Sequence, residues 1–325
     1  MTSQSIKDRS GGSYRSIFMD ALIDAAEETP EILLLVADLG RAMGASRFST
    51  LFPDRCFQLG IAEQNLIGVA AGMASCGKIP FAATFAPFAT MRCLEQIRDD
   101  VAYMSLNVKI VGTDSGVSLG TLGTTHYAIE DIGLLRSIPN MVILSPADGA
   151  ELYQAVFAAA KHKGPVYIRV GGSQQPAAVY QENCNFTIGR AVTLTQGNDA
   201  AIIATGTMVE RAVQAAEILL RGNIRVRVVN MHTIKPLDDE AVLKAATETG
   251  AVVTIEEHNI VGGLGTAVAD VMAQNGVGRL LKLGLPDQFS HRIAPYSDML
   301  ARYGLSPEEI VVNAENFICK RRAQI

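Results

Sequence analysis

The sequence contains few cysteines, and their spacing argues against two kinds of site. Among 325 residues there are five, with no C-x-x-C pair, at Cys56, Cys76, Cys93, Cys184 and Cys319. An odd number of scattered cysteines suits neither a zinc site nor a disulfide framework. The pattern is typical of a protein kept in a reducing compartment, so we expect a cytoplasmic location.

The chain also lacks an excess of basic charge and any long apolar run. Its formal charge is -5, and charged residues make up 19% of the sequence. A negative charge argues against a nucleic-acid-binding surface, and no apolar segment reaches the ~20 residues that cross a bilayer. The polar start, MTSQSIKDRSGGSYRS, has no apolar core of a signal peptide. We therefore expect neither nucleic acid nor membrane as a partner.

The first half of the chain shows apolar, β-rich runs that alternate with helical patterns. Hydrophobic residues are 48% of the sequence, which is a globular composition. Strands this uniformly apolar indicate a parallel sheet covered by helices on both faces. The predicted strands lie within residues 31–39, 79–86, 108–114, 141–148 and 165–171.

A polar stretch, SQQPAAVYQENCN, separates this series from a second one and is interpreted as a linker. The second series has predicted strands at 199–206, 224–231 and 251–259, a helix from Glu210 to Leu220, and another helix after PLDDE. The sequence therefore predicts an α/β protein of two domains, residues 1–180 and residues 186–325.

One glutamate stands at the start of an apolar helix, in the stretch LGIAEQNLIGVAAGMASCG. A first-turn glutamate on a solvated helix end would be favoured by the helix dipole alone. The rest of this helix, with Gly68 and Gly72 on one face and apolar residues on the other, predicts a helix buried on every side. Glu63 is then buried as well, and a buried carboxyl needs a partner, either a residue or a ligand.

Candidate ligand-binding residues follow the predicted strands of the first domain. In open α/β sheets, ligands bind beyond the carboxyl ends of the strands. Such positions are held by Asp38, by Glu63, by Phe85 with Phe88, and by the loop from Asp114 to His126. That loop is long and rich in glycine, serine and threonine, which favours a functional loop over a plain connection with a surface histidine.

Several long motifs occur in an order that resembles the C-terminal half of the transketolase family, including its deoxyxylulose phosphate synthase relatives. They are FQLGIAEQNLIGVAAGMASCGKIPFAATFAPF, TDSGVSLGTLGTTHYAIEDIGLLRSIPNMVILSPADGAEL, PVYIRV and TIEEHNIVGGLG. The resemblance runs from about Arg15 to the C-terminus. It implies a pyrimidine-binding domain of a thiamine diphosphate enzyme, followed by the C-terminal domain of the family.

The resemblance also implies a missing companion. No Gly-Asp-Gly followed by an asparagine some thirty residues later, the family's diphosphate motif, occurs in this sequence. We expect an N-terminal, diphosphate-binding transketolase subunit as the partner, which would hold Mg²⁺ or Ca²⁺, so that this chain contributes no metal ligand. The expected assembly is an α2β2 heterotetramer that acts on sugars or sugar phosphates.

Five positions match cofactor-contacting residues of the family. Glu63 falls on the glutamate that meets N1' of the aminopyrimidine ring, so the resemblance implies a catalytic role for it. Phe85 and Phe88 match aromatic residues of the pyrimidine pocket, Phe88 being the one expected to stack on the ring. Met91 stands where a third aromatic residue is common, and Asp38 matches a cofactor-contacting aspartate.

The substrate-binding positions match less evenly. His126 falls on a histidine that hydrogen-bonds the substrate near its reacting carbons, and proton transfer is a further role for it. Arg15 matches a sugar-phosphate ligand, whereas Thr113 and Gly172 stand where other phosphate-binding groups are usual. Leu122 replaces the aspartate of the D-G-x-T-H pattern. These departures predict altered substrate selectivity.

Three alternatives to a split transketolase stay open. A β subunit of a 2-oxo-acid dehydrogenase shares the architecture and the glutamate, and an enzyme like deoxyxylulose phosphate synthase would transfer an acyl unit from pyruvate. A non-catalytic regulatory homologue is the third. In the second domain Glu256, Glu257 and His258 stand together, but a role in packing is favoured for them over catalysis.

Overall fold

A computed structural model describes residues 12–180 and 184–322 of the chain. Residues 1–11, 181–183 and 323–325, which include part of the predicted linker, lie outside the described residues. The architecture is α/β, with two mostly parallel sheets flanked by helices, and this confirms the predicted fold class.

The first unit begins at Tyr14 and alternates strands with helices. Its elements are α1 (Tyr14–Glu28), β1 (Ile32–Val36), α2 (Ala45–Leu51), β2 (Cys56–Gln58), α3 (Glu63–Ser75), β3 (Ile79–Phe85), α4 (Ala86–Thr90), α5 (Leu94–Gln96), β4 (Lys109–Thr113), α6 (Asp131–Arg136), β5 (Val142–Leu144), α7 (Gly149–Lys161) and β6 (Val166–Arg169). A π-helical segment, Ile97–Tyr103, extends α5, and a 3-10 turn spans Thr124–His126.

The first sheet has seven strands in the order β10-β5-β6-β4-β3-β1-β2, where β10 (Thr233–Lys235) comes from the second part of the chain. Every residue of β1 and β4 is buried, as strands covered on both faces should be. Six strands are parallel, so β1, β3 and β4 end at the same edge of the sheet. Phe85 and Thr113 are register partners at that edge.

The second unit contains β7 (Val192–Thr195), β8 (Ala200–Ala204), α8 (Met208–Arg221), β9 (Val226–Asn230), β10 (Thr233–Lys235), α9 (Asp239–Thr249), β11 (Ala251–Asn259), α10 (Leu264–Asn275), β12 (Arg279–Leu285), α11 (Tyr296–Arg302) and α12 (Pro307–Arg322). Its sheet has the order β12-β11-β8-β9-β7, with only β7 antiparallel. Within the described ranges, every helix is too short or too polar to span a lipid bilayer.

One strand crosses from the second part of the chain into the first sheet. β10 pairs antiparallel with β5, so the first sheet is not purely parallel as the sequence predicts. The Ser145 N–H donates to the His232 carbonyl (2.8 Å) beside this pairing. The two sheets are therefore joined through the backbone, while the predicted division near residue 180 stays a prediction.

The helix that begins at Glu63 differs from its prediction in one respect. Glu63 is 4% exposed, which confirms a buried carboxyl. The helix α3 is not buried on every side, because Gly72 is exposed and a Cβ atom at Gly68 or Gly72 would meet nothing within 4 Å. The glycine face is therefore open in the single chain.

Candidate active site

The candidate site lies at the edge of the first sheet where β3 and β4 end. Phe85 is the last residue of β3, and Asp114 follows β4 at the start of the loop that carries His126. Glu63 comes from the first turn of α3, and Phe88 from α4 directly after β3. The topology thus brings together side chains that are up to 63 residues apart along the chain, from Glu63 to His126.

Glu63 is paired with an arginine. The Arg92 Nη1 atom lies 2.7 Å from Glu63 Oε2, and the arginine side chain is 47% exposed while that of Glu63 is 5% exposed. Glu63 is also the first residue of α3, where the helix dipole favours a carboxylate. The carboxyl therefore sits in a cationic setting that a partly exposed arginine provides.

Aromatic rings form a wall next to this ion pair. The ring centroids of Phe85 and Phe88 are 6.0 Å apart, and both phenylalanines are half-buried. The His126 ring meets them edge-on, at 5.5 Å from Phe88 and 6.2 Å from Phe85. The guanidinium of Arg92 lies over the Phe88 ring, 4.4 Å from its centroid. A continuous set of contacts therefore joins Glu63, Arg92, Phe88 and His126.

Arg92 is the residue that sequence reasoning missed. It lies four positions after Phe88, which is the spacing that places two side chains on one face of a helix. That spacing is the only local signal, and it does not reveal that the guanidinium reaches Glu63, 29 residues earlier.

A buried cysteine lies against the same group of residues. Cys93 is fully buried, and its Sγ donates weakly to the Phe88 carbonyl (3.3 Å). Burial, and then the negative charge of Glu63, raise the pKa of the Cys93 thiol to about 12. This cysteine is therefore an uncharged packing residue near neutral pH and does not supply a thiolate.

Arg15 is held by Asp114 at the other side of Phe85. Arg15 Nε and Nη2 donate to the two Asp114 oxygens (2.9 and 2.5 Å), and the guanidinium lies 5.7 Å from the Phe85 centroid. Asp114 is fully buried and has a φ of 57°, a left-handed conformation that aspartate tolerates better than most residues. The arginine side chain is 14% exposed, so its charge is largely satisfied within the protein.

The other predicted substrate positions surround this ion pair. Thr113 is fully buried, and its hydroxyl donates to the Thr84 carbonyl (3.4 Å). A Cβ atom at Gly172 would lie 2.7 Å from Gln174 Oε1 and 2.8 Å from Asp114 Oδ1, so no larger side chain fits there unless both of these side chains move. Leu122 is 52% exposed.

Two predicted cofactor residues are not joined to the cluster. Asp38 is exposed after β1, and its backbone N–H donates to Gln58 Oε1 (2.7 Å). Met91 is 42% exposed at the end of α4. Within residues 12–180 and 184–322, no hydrogen bond, ion pair or ring contact of the structure links either side chain to Glu63, Phe88 or His126. Their predicted roles stay predictions.

Two members of the acidic cluster of the second unit, Glu256 and His258, hold neighbouring backbone segments. Glu256 accepts hydrogen bonds from the Leu264 and Gly265 N–H groups (2.6 and 2.8 Å) at the start of α10. Burial raises the pKa of the Glu256 carboxyl to about 7. The Gly133 N–H donates to His258 Nε2 (3.1 Å), so this histidine joins β11 to α6.

Family models match both parts of the chain. The model of the transketolase pyrimidine-binding domain matches residues 11–174, and that of the transketolase C-terminal domain matches residues 189–310. The chain belongs to the transketolase family, and it carries the pyrimidine-binding and C-terminal domains of that family.

Several similar proteins are described as subunits of transketolases. The chain is 42% identical to the 6-deoxy-6-sulfo-D-fructose transketolase subunit SqwH of Clostridium sp. strain MSTE9, over 91% of this chain and 92% of the relative. It is 38% identical to one subunit of the apulose-4-phosphate transketolase of Phocaeicola vulgatus, over 94% and 97%. A solved structure described as a split gene transketolase, inactive beta4 tetramer, superposes with a TM-score of 0.88 at 41% identity, over 95% and 99%.

Proposed function

We propose that this chain is the C-terminal subunit of a two-subunit, thiamine-diphosphate-dependent transketolase. The complex would transfer a two-carbon ketol unit from a ketose to an aldose. The observation that carries the proposal is the buried carboxyl of Glu63, which Arg92 links to an aromatic wall at the carboxyl edge of the first sheet. Membership of the transketolase family supports this interpretation of the site.

The residues present fit the cofactor's aminopyrimidine ring. Arg92 presents a flat, delocalised group that donates a hydrogen bond to Glu63 and lies on the face of Phe88. An aminopyrimidine is also flat and also combines a ring face with polar edge atoms. The guanidinium therefore acts as a chemical stand-in for the ring, which supports a pyrimidine site between Glu63 and Phe88.

Each protein group has a separate task in this proposal. Thiamine diphosphate, when bound, supplies the nucleophilic carbon and the electron sink for breaking and forming a bond beside a carbonyl. Glu63 would hold and exchange a proton at ring nitrogen N1', and Phe85 and Phe88 would exclude water from the ring. His126, which touches both phenylalanines, would hydrogen-bond the substrate near its reacting carbons.

The remaining parts of the cofactor and the assembly belong to the partner in this proposal. A diphosphate-binding N-terminal subunit would hold the diphosphate and the Mg²⁺ or Ca²⁺ ion, within an α2β2 complex in the cytoplasm. The open glycine face of α3 supports a partner, since small residues let a second element approach closely. The similar proteins named as subunits of transketolases support it further.

The residues proposed to bind the substrate also differ from an ordinary phosphate-binding site. Arg15 is held by Asp114, and Asp114 fills the space beside Gly172. A carboxylate in that place would repel a phosphate, which supports the selectivity change inferred from Leu122 and Gly172. The similar subunits are named for two different sugar derivatives, a sulfosugar and a sugar phosphate, so substrate choice varies among such subunits.

The substitution Glu63→Gln tests the proposal, because it keeps shape and hydrogen bonding but cannot exchange a proton. In the reconstituted complex we expect ketol transfer to fall by about 10²-fold or more, the loss typical of an acid-base group. Exchange of the cofactor's C2 proton with deuterium should slow in step. Glu95→Gln, at an exposed glutamate on α5, is the matched control.

The same complexes separate the alternatives. Unchanged C2 exchange in Glu63→Gln, at equal assembly, would mean that the catalytic carboxyl lies elsewhere. Pyruvate as the preferred donor would indicate an enzyme like deoxyxylulose phosphate synthase, and acyl transfer from other 2-oxo acids would indicate a dehydrogenase of the 2-oxo-acid type. A complex that binds the cofactor but shows no C2 exchange would indicate a regulatory homologue.

A further inference from the structure

The loop that carries His126, residues 114–130, is closed at its base by its own backbone. The Gly116 N–H donates to the Ala128 carbonyl (3.0 Å), and the Ala128 N–H donates back to Gly116 (2.9 Å). His126 lies in a 3-10 turn two residues before Ala128. A group that fixes this closed base therefore constrains the backbone that carries the histidine.

A carboxylate from the second unit holds the base of this loop. Glu257 on β11 is 2% exposed, and its Oε1 accepts a hydrogen bond from the Val117 N–H (2.7 Å). Its other oxygen accepts from the hydroxyls of Thr207 and Tyr296 (2.6 Å each). A Cβ atom at Gly116 would lie 2.1 Å from Glu257 Oε1, so the glycine is what lets the carboxylate approach the loop.

The far part of the loop is held from the second unit as well. The Thr124 hydroxyl donates to the Ser290 carbonyl, and the Tyr127 hydroxyl donates to the carbonyls of Gly120 (2.8 Å) and Arg292 (3.2 Å). Thr124 and Tyr127 flank the histidine in sequence. His126 itself makes no hydrogen bond to the second unit among the described residues, since its Nδ1 contacts Thr125 (3.0 Å).

We propose that Glu257 is a positioning residue for His126. It acts through the backbone of the loop 114–130, which Glu257 binds at Val117 and which carries His126. The inference rests on the proposed role of His126 in substrate binding. Glu257 does not reach the substrate site, because it is buried and its oxygens are occupied by three donors. The second unit then has a part in the reaction beyond packing: it fixes the loop whose histidine meets the substrate.

Glu257→Ala in the assembled complex is the first test. Loss of the Val117 contact should let the loop base shift, and misplacement of a catalytic contact by about 1 Å can cost up to about 10²-fold. We expect kcat/KM for ketol transfer to fall about tenfold or more, with cofactor affinity changed by less than about twofold. Glu257→Gln keeps an oxygen for the Val117 N–H, so it should restore most of the activity.

A double-mutant cycle with His126 gives a readout that a purely structural role would not move. His126→Ala alone should lower kcat/KM, and adding Glu257→Ala to it should cause little further loss. Glu256→Ala is the matched control, since Glu256 is equally buried on β11 but accepts only from the start of α10. Glu256→Ala should lower the stability of the protein. Any effect that it has on kcat/KM should add to the effect of His126→Ala, as expected for independent residues.

The outcomes distinguish this inference from the proposed function. If Glu257→Ala and His126→Ala reduce kcat/KM independently, at equal assembly, the positioning role is overturned while ketol transfer through His126 stands. If Glu257→Ala leaves kcat/KM unchanged, the positioning role is overturned as well. If His126→Ala has no effect, the proposed role of His126 fails, and the positioning role falls with it.

Discussion

Among single residues, Arg92 has the most direct consequence for cofactor binding. Its guanidinium occupies both surfaces that we assign to the pyrimidine ring, the Glu63 carboxyl and the face of Phe88. A cofactor that meets Glu63 must therefore displace this arginine. The displaced side chain has room to move, because it is 47% exposed.

Arg92→Met is expected to tighten thiamine diphosphate binding to the reconstituted complex. An exposed ion pair contributes about 0.2–1 kcal/mol and a cation–π contact about 0.5–1 kcal/mol. Removing both would lower the Kd by roughly three- to thirtyfold, since 1.4 kcal/mol corresponds to tenfold. Isothermal calorimetry checks this, with Arg98→Met, whose partner is Asp99, as the control. Weaker binding in Arg92→Met would show that the arginine assists the cofactor.

The second residue-scale prediction concerns the substrate. Asp114 occupies Arg15 and the space beside Gly172, so we expect a weaker preference for phosphorylated aldoses than in ordinary transketolases. Asp114→Asn tolerates the left-handed backbone and removes the charge. It should raise the ratio of kcat/KM for phosphorylated over unphosphorylated aldoses by about tenfold, the worth of a charge-assisted hydrogen bond.

Steady-state kinetics of the reconstituted complex measure this ratio. Asp20→Asn is the control, because Asp20 is paired with Arg47 on the surface instead of with Arg15. A strong preference for phosphorylated aldoses in the unmodified complex, unaltered by Asp114→Asn, would contradict the role given to Asp114.

Some of these residues could be predicted from the sequence and others could not. Glu63 stands out because a carboxyl at the start of an apolar helix is unusual, and its burial is confirmed. Phe85 and Asp114 follow apolar strands, where the edge of a parallel sheet gathers side chains. The partner of Arg92 was not predictable, since a long side chain can reach many neighbours and only the tertiary structure selects Glu63.

At the scale of elements, a buried histidine lies beside the crossing strand β10. His232 precedes β10, is fully buried and stacks on Phe186 with ring centroids 4.2 Å apart. Its Nδ1 lies 3.0 Å from the Thr233 hydroxyl. Burial lowers the pKa of His232 from 6.5 to about 4. The folded protein therefore resists protonation of a histidine that the unfolded chain would protonate.

The lowered pKa of His232 predicts how the stability of the folded protein changes with pH. Between about pH 6.5 and about pH 4 the unfolded chain binds a proton at His232 that the folded chain does not, so stability falls as the pH falls. The contribution is about 3 kcal/mol, at ~1.36 kcal/mol for each pKa unit. His232→Gln should remove it and flatten the acid side of the curve obtained by chemical denaturation, whereas His291→Gln, at an exposed histidine, should not. Equal acid slopes in all three proteins would contradict the prediction.

How well a strand could be predicted from the sequence depends on how deeply it is buried. The buried strands β1, β3, β4, β8 and β11 fall inside predicted apolar runs, because burial on both faces demands such runs. The patterns do not predict β2, β7, β10 or β12. β2 and β10 have three residues each, and β12 is half-buried along most of its length. The pairing of β10 with β5 depends on the tertiary structure, so no local sequence pattern predicts it.

At the scale of the whole molecule, one chain provides only part of the proposed site. It offers Glu63, the aromatic wall and the His126 loop, but the diphosphate and the metal ion are assigned to a partner. The open face of α3 and the exposed Ile61 just before it (77% exposed) leave room for that partner.

Ketol transfer by the purified chain, measured with and without a diphosphate-binding transketolase subunit from the same organism, tests the central claim most directly. With thiamine diphosphate, Mg²⁺, a ketose and an aldose present, we predict no turnover by the chain alone. Turnover should appear on adding the second subunit, together with a complex of the mass of an α2β2 heterotetramer. Ketol transfer by the chain alone, at a rate that the second subunit does not increase, would contradict the account.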